Sequence, residues 1–214
     1  MSEAMRVALT FDAEHPDRPR CSPGVSEGIV QLLREMDVRA TFFLQGRWVQ
    51  ARPATARRIV EEGHLVGNHS FYHARFAWLT DEGIVDDLRS AEQVIDSLAG
   101  SDPRPWLRLP FGQGWDDPRV QRCIEDLGYQ HVGWDVLALD WEPDRSPHSI
   151  AEAVLKGVRA ADLDGRGGEA IVLLHGWPDQ TLAALPRMID RLRDMGAEFV
   201  TVDELARITA SAAL

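Results

Sequence analysis

Short apolar runs alternate with stretches of helical period from one end of the chain to the other. Seven runs read as strands: 6–11 (RVALTF), 40–43 (ATFF), 64–69 (HLVGNH), 106–110 (WLRLP), 129–134 (YQHVGW), 170–175 (AIVLLH) and 197–202 (AEFVTV). The segments between them carry helix punctuation. In "LTDEGIVDDLRSAEQVIDSLAG", Thr80 is placed to cap a helix whose apolar face is Ile84, Leu88, Ala91, Ile95 and Leu98, with Gly100 at its exit. Asp117 followed by Pro118, with Gly128 closing the run, predicts a second helix, and Ser146 followed by Pro147 a third. Strands alternating with helices in this way predict an α/β domain with a parallel sheet, either open and doubly wound or closed as a barrel. Periodicity does not separate the two.

Composition adds bounds. A chain of 214 residues, 44% hydrophobic and 27% charged, fits one soluble globular domain, here residues 1–214. The net charge of -11 argues against a broad nucleic-acid or anionic-membrane footprint. No run reaches 18 consecutive apolar residues, and "MSEAMRVALTF" lacks the pattern of a secretory leader, so a cytoplasmic protein is expected. Cys21 and Cys123 lie far apart without a CxxC pair and read as free thiols.

In either α/β architecture, functional groups gather where strands end. Asp12, Glu14 and His15 follow the first strand. His69 and His73 follow the third in "GNHSFYH", Arg108 lies in "RLPFG" and His175 in "LLHGW". Asp135 and Asp140 lie in "WDVLALDW". Two histidines spaced i, i+4, on a helical turn or in a tight loop, reach one divalent cation. Taken alone the pair reads as unrelated surface histidines; a carboxylate and a third histidine at other strand ends reverse that. Arg108 is by default a weak surface ion pair, but beside a strand-end aspartate it would hold that group ionised, as a general base requires.

These residues resemble the polysaccharide deacetylase family, carbohydrate esterase family 4, with its NodB-homology domain. "LTFD" is similar to the first family motif, "HSFYH" to H-S-x-x-H and "RLPFG" to R-x-P-(Y/F)-G. "LDW" resembles the end of the aspartate–tryptophan motif, and "LLH" the final histidine motif. The resemblance implies a deformed (β/α) barrel of about seven strands and hydrolysis of an N-acetyl group on an amino sugar. It implies a divalent metal ion, Zn²⁺ first, with Co²⁺, Ni²⁺ or Fe²⁺ as alternatives. By position, Asp12 would be the general base, His69 and His73 metal ligands, Arg108 the residue orienting Asp12, and His175 the general acid tuned by Asp140. Phe111, Trp141, Leu173 and Trp177 would line the substrate site.

The chain departs from the family at Ala13, where a second aspartate normally ligates the metal. Glu14 would replace it, since residues two apart in extended chain face the same side. Alternatively Asp12 or His15 completes the set, or the chain is a degenerate, non-catalytic carbohydrate-binding homologue. A second departure is Leu137, where the family often has an acid. The expected partner is a carbohydrate or another small molecule, with a cyclic imide or ureide as the alternative substrate. The loop of residues 14–24 is expected to shape the substrate rim.

Overall fold

The computed structural model describes residues 5–16, 22–163 and 168–206. Residues 17–21 of the expected rim loop, Cys21 among them, lie outside the described residues. The chain divides into two compact units: one from Met1–Phe11, Pro19–Thr41 and Trp134–Leu214, the other from Asp12–Arg18 and Phe42–Gly133. Strand β1 (Arg6–Ala13) passes from the first unit into the second between Phe11 and Asp12.

In the first unit, β1 pairs in parallel with β8 (Glu198–Phe199), Arg6 lying opposite Glu198 and Val7 opposite Phe199. On its other side runs β7 (Glu169–His175), followed by β6 (Val136–Leu137), in parallel register Val136 to Val172 and Leu137 to Leu173. Helices α1 (Val25–Glu35), α6 (Pro147–Leu163) and α7 (Asp179–Asp194) complete this unit. Val7, Ala8, Leu9, Thr10 and Phe11 are all buried, so β1 is covered on both faces, as a central parallel strand must be.

In the second unit, β2 (Thr41–Leu44), β3 (Leu65–Asn68), β4 (Trp106–Leu107) and β5 (Gln130–His131) lie in sequence order, β3–β4 and β4–β5 pairing in parallel. Its helices are α2 (Gly46–Ala51), α3 (Pro53–Glu61), α4 (Asp81–Val94) and α5 (Pro118–Asp126). Phe76, Ile84, Leu88, Leu107, Leu109, Val120, Ile124 and Tyr129 form one buried cluster here, and Cys123, a free thiol, packs with them.

This is the α/β class, a deformed (β/α) barrel by its strand–helix alternation and parallel pairing. All seven expected strand regions contain a strand. The additional β6 comes from "WDVLALDW", where two ladder residues are too few to show a period. The expected caps are in place: Thr80 Oγ1 accepts from Gly83 N–H at 3.1 Å and Asp117 Oδ1 from Arg119 N–H at 2.9 Å. The apolar face of α4 departs from expectation only at its end. Ile95–Ala99 form a π-turn, which widens the last turn and puts Ala99 rather than Leu98 into the core. No helix among the described residues is long and apolar enough to cross a membrane.

Candidate metal centre and proton-transfer pair

Five of the strand-end residues converge within the second unit. Asp12 is the penultimate residue of β1, and Glu14 follows two positions later on the same side of the extended chain. Ala13 between them is buried, and its carbonyl accepts from Gln45 N–H at 3.0 Å. Glu14 Oε2 lies 2.5 Å from His73 Nε2 and 3.4 Å from His69 Nε2, while Asp12 Oδ2 lies 3.6 Å from His69 Nε2. Asp12 Oδ1 accepts from Arg108 Nη1 at 3.0 Å.

Arg108 is fully buried rather than a surface residue. Its Nε and Nη2 donate to the carbonyls of Val132 and Gly133 at 3.2 and 3.0 Å, and its guanidinium lies 4.2 Å from the centre of the Phe43 ring. With the head group anchored to backbone on one side, the fork is fixed for Asp12 on the other.

His69 and His73 occupy a tight loop after β3, not a helix. Ser70 and His73 both have left-handed backbone, with φ of 67° and 58°. Such strain persists only where surroundings over-determine it, and here they do. Ser70 N–H donates to Asn68 Oδ1, His73 N–H to Ser70 Oγ, and Phe71 and Tyr72 N–H to the two oxygens of the buried Asp87 carboxylate, at 2.8–3.1 Å. Gly46 permits the close approach of this loop: a Cβ there would sit 2.4 Å from the Phe71 ring.

The donor set fits a divalent cation. His69 Nδ1 faces the Arg108 carbonyl at 2.8 Å, so Nδ1 carries the proton and Nε2 presents its lone pair. That Nε2 is buried and has no hydrogen-bond partner among the described residues. One ligand atom from each of Glu14, His69 and His73 lies within 4.8 Å of the others. Two imidazoles and a carboxylate suit zinc, cobalt, nickel or iron.

The two histidines differ electrostatically. Burial opposes charge on His69, but the nearby Asp12 and Glu14 carboxylates and the Arg108 carbonyl outweigh it and raise its pKa. For His73 burial prevails over Glu14, with His69 adding repulsion, and the pKa falls. His15, the alternative ligand, points Nε2 at Glu14 Oε1 from 3.4 Å, and its ring centre lies 4.5 Å from that of His73.

The remaining predicted polar residues form a second group, in the first unit. His175 Nδ1 lies 2.8 Å from Asp140 Oδ1, and Asp140 Oδ2 accepts from His175 N–H at 2.7 Å and Thr181 Oγ1 at 2.6 Å. A carboxylate only accepts, so Nδ1 of His175 carries a proton and Nε2 is the atom that exchanges one. The rings of Trp141 and Trp177 lie 4.9 and 6.0 Å from His175. Asp135 instead bonds to β7, accepting from Ile171 N–H at 2.8 Å. Leu173 is buried on β7. A cavity of about 450 Å3 is bordered by Asp140, Trp141, Glu142, Asp144, Trp177 and Asp179. Phe111, in the second unit, is half-exposed with φ of 59°, its ring centre 4.5 Å from that of His73.

Sequence reasoning passes over Gln45, Asp87 and Thr181. Gln45 Oε1 accepts from His15 N–H at 2.8 Å. Asp87 leaves one trace: it shares the helical face of Ile84, Leu88 and Ala91, where an acid is out of place unless paired.

Two imidazoles and a carboxylate gathered at strand ends of an α/β fold, with a second carboxylate beside them, form the donor set of a candidate divalent-cation site. Residues 2–132 match the Polysaccharide deacetylase family, and the chain belongs to that family. It is 32% identical over 200 residues to the peptidoglycan-N-acetylglucosamine deacetylase PgdA of Listeria monocytogenes, covering 94% of this chain and 38% of that protein. The chain thus spans well under half the length of that relative. Among solved structures it is similar to a CE4 family pseudoenzyme from Bacillus anthracis, with TM-score 0.81 and 28% identity over 96% of this chain and 66% of that one. It is also similar to a family 4 acetyl xylan esterase from Clostridium thermocellum in complex with a cobalt ion. There the TM-score is 0.79 and the identity 31%, covering 95% and 91% of the two chains.

Proposed function

We propose that this chain is a metal-dependent hydrolase that removes the N-acetyl group from an amino-sugar-containing substrate. The observation that carries the reading is the Glu14–His69–His73 cluster beside the Asp12–Arg108 ion pair. Glu14 and the two histidines would hold the ion, with Glu14 taking the place that Ala13 leaves without a donor. A divalent cation bound there supplies Lewis acidity toward the acetyl carbonyl and toward water.

The chain's own residues do the rest. Asp12, its Oδ1 fixed by Arg108, accepts the proton of the attacking water. The backbone N–H of Phe111 is a donor for the negative charge that develops on the carbonyl oxygen. His175, its Nδ1 committed to Asp140, can carry at Nε2 the proton that a departing amine requires; without such a proton an amine leaves poorly. The name of the Listeria relative makes N-acetylglucosamine oligosaccharides the first probes, with small N-acetylated sugars beside them.

A second reading is a non-catalytic carbohydrate-binding homologue. It is favoured by Ala13 and by the likeness to a CE4 family pseudoenzyme. One measurement separates the two: acetate release from the purified protein, its metal content assayed, with and without chelator. The hydrolase reading expects release that chelation abolishes and Zn²⁺ or Co²⁺ restores. Glycan binding with no acetate released by the metal-loaded protein would establish the second reading instead.

A further inference from the structure

Arg75 lies two residues past His73, where the histidine loop enters the short 3-10 turn Phe76–Trp78. Its guanidinium sits 3.9 Å from the centre of the Phe111 ring and 5.3 Å from that of Trp78. The chain carries 34 acidic residues against 23 lysines and arginines, so carboxylates are plentiful for its cations. In the same unit, Arg104 pairs with Asp102 and Glu92, Arg108 with Asp12 and Arg119 with Asp81. The Arg75 guanidinium has neither an ion pair nor a hydrogen bond among the described residues. It is a cation held by aromatic faces, with its in-plane N–H groups uncommitted.

The position is built. Trp78 N–H donates to the Arg75 carbonyl at 2.9 Å. Arg119 clamps the turn from beneath, donating to the carbonyls of Phe76, Ala77 and Leu79 at 3.0–3.4 Å. Phe111 is held at positive φ in the Pro110–Gly112 turn, and its ring meets both His73 and Arg75. Trp78 and Phe111 are 79% and 51% exposed, so the arginine and its two rings form an open ledge beside the candidate metal centre.

Exposed aromatic faces suit sugar rings, and a neutral sugar needs no cation beside them. A stacked guanidinium with a bare edge matches the planar, two-oxygen geometry of a carboxylate. We infer that Arg75 is a specificity-determining residue that reads a carboxylate on the acylated sugar or on the residue adjoining it. The substrate class is then an acid-bearing N-acetylated amino sugar. This rests on the deacetylase reading for its reaction, but not for its binding.

The test compares three oligosaccharides of equal length: neutral N-acetylglucosamine, a form alternating N-acetylglucosamine with N-acetylmuramic acid, and the latter with its lactyl carboxylate converted to the amide. The proteins are wild type, R75Q and R75K, each checked for unchanged thermal unfolding. The wild type is expected to favour the acid over its amide in kcat/KM by about tenfold or more, the scale of one charge-assisted hydrogen-bond pair. R75Q should bring that ratio near one, and R75K, keeping the charge without the fork, should retain part of it. A wild-type ratio near one, or a ratio that R75Q leaves intact, overturns the inference. If no probe releases acetate, the deacetylase reading fails on its own, and calorimetric Kd values for the same three glycans decide the role of Arg75 by the same ratios.

Discussion

Glu14 Oε2 faces both histidines, 3.4 Å from His69 Nε2 and 2.5 Å from His73 Nε2, so on the hydrolase reading it is the carboxylate placed to do what an aspartate at position 13 would do. E14Q is expected to weaken zinc binding by at least about 100-fold, the upper end of what losing a mere supporting contact costs. Metal content after dialysis and competition with a chromophoric chelator measure this; undiminished zinc in E14Q would exclude Glu14 as a ligand. Asp140 fixes the His175 ring through Nδ1, and on the hydrolase reading it is a positioning residue for that histidine. D140A is expected to lower kcat by roughly 100- to 10,000-fold while leaving bound metal unchanged. A fall in metal content with a preserved kcat per bound ion would contradict that assignment.

At the scale of elements, the loop after β3 and helix α4 form a pair. The loop holds two residues in left-handed backbone, and Asp87 on α4 takes up its Phe71 and Tyr72 N–H groups. D87A would leave both donors without their acceptor and cost about 1–3 kcal/mol of stability. Because these donors lie between His69 and His73, zinc affinity should fall as well, although Asp87 touches no ligand atom of the cluster. Unfolding in urea and zinc titration of the same variant check both halves. The sequence shows the two histidines and their spacing, and it shows the capped helix. The connection between them joins residues 71 and 72 to residue 87, and no periodicity encodes it.

At the scale of the molecule, stability is tied to pH through the second unit and, on the hydrolase reading, to metal as well. Burial, and then the charge of Arg108, push the His131 pKa down to about 4 from an ordinary 6.5. Above pH 6.5 the ring is neutral both folded and unfolded and contributes no pH dependence. Between pH 6.5 and 4 the unfolded chain binds a proton that the folded protein refuses, so stability falls with pH, by about 3 kcal/mol over that window. H131N should flatten this part of the profile, read from urea midpoints at pH 4–7; an unchanged slope would remove His131 as its cause. A bound metal would act in the opposite sense. A cation at 100 times its Kd stabilises by about 2.7 kcal/mol, so chelation should lower the Tm of the purified protein, and E14Q should lose that response. An equal chelator-dependent shift in E14Q would place the ion elsewhere.

The hydrophobic pattern determined the α/β class, the strand regions and the helix caps, because these depend on neighbours within a few residues. The polar residues Asp12, Glu14, His69, His73 and Arg108 were legible as strand-end groups, and the resemblance carried by their motifs supplied the chemistry. The tertiary structure decided which carboxylate faces the histidines, how Arg108 comes to be buried, and that Asp135 bonds to the backbone of β7. It alone set Arg75 against two aromatic rings and tied Asp87 to the histidine loop. These are pairings between residues distant along the chain or held by strained backbone. Their energies are those of buried charges and unsatisfied donors, which have no counterpart until the chain is folded.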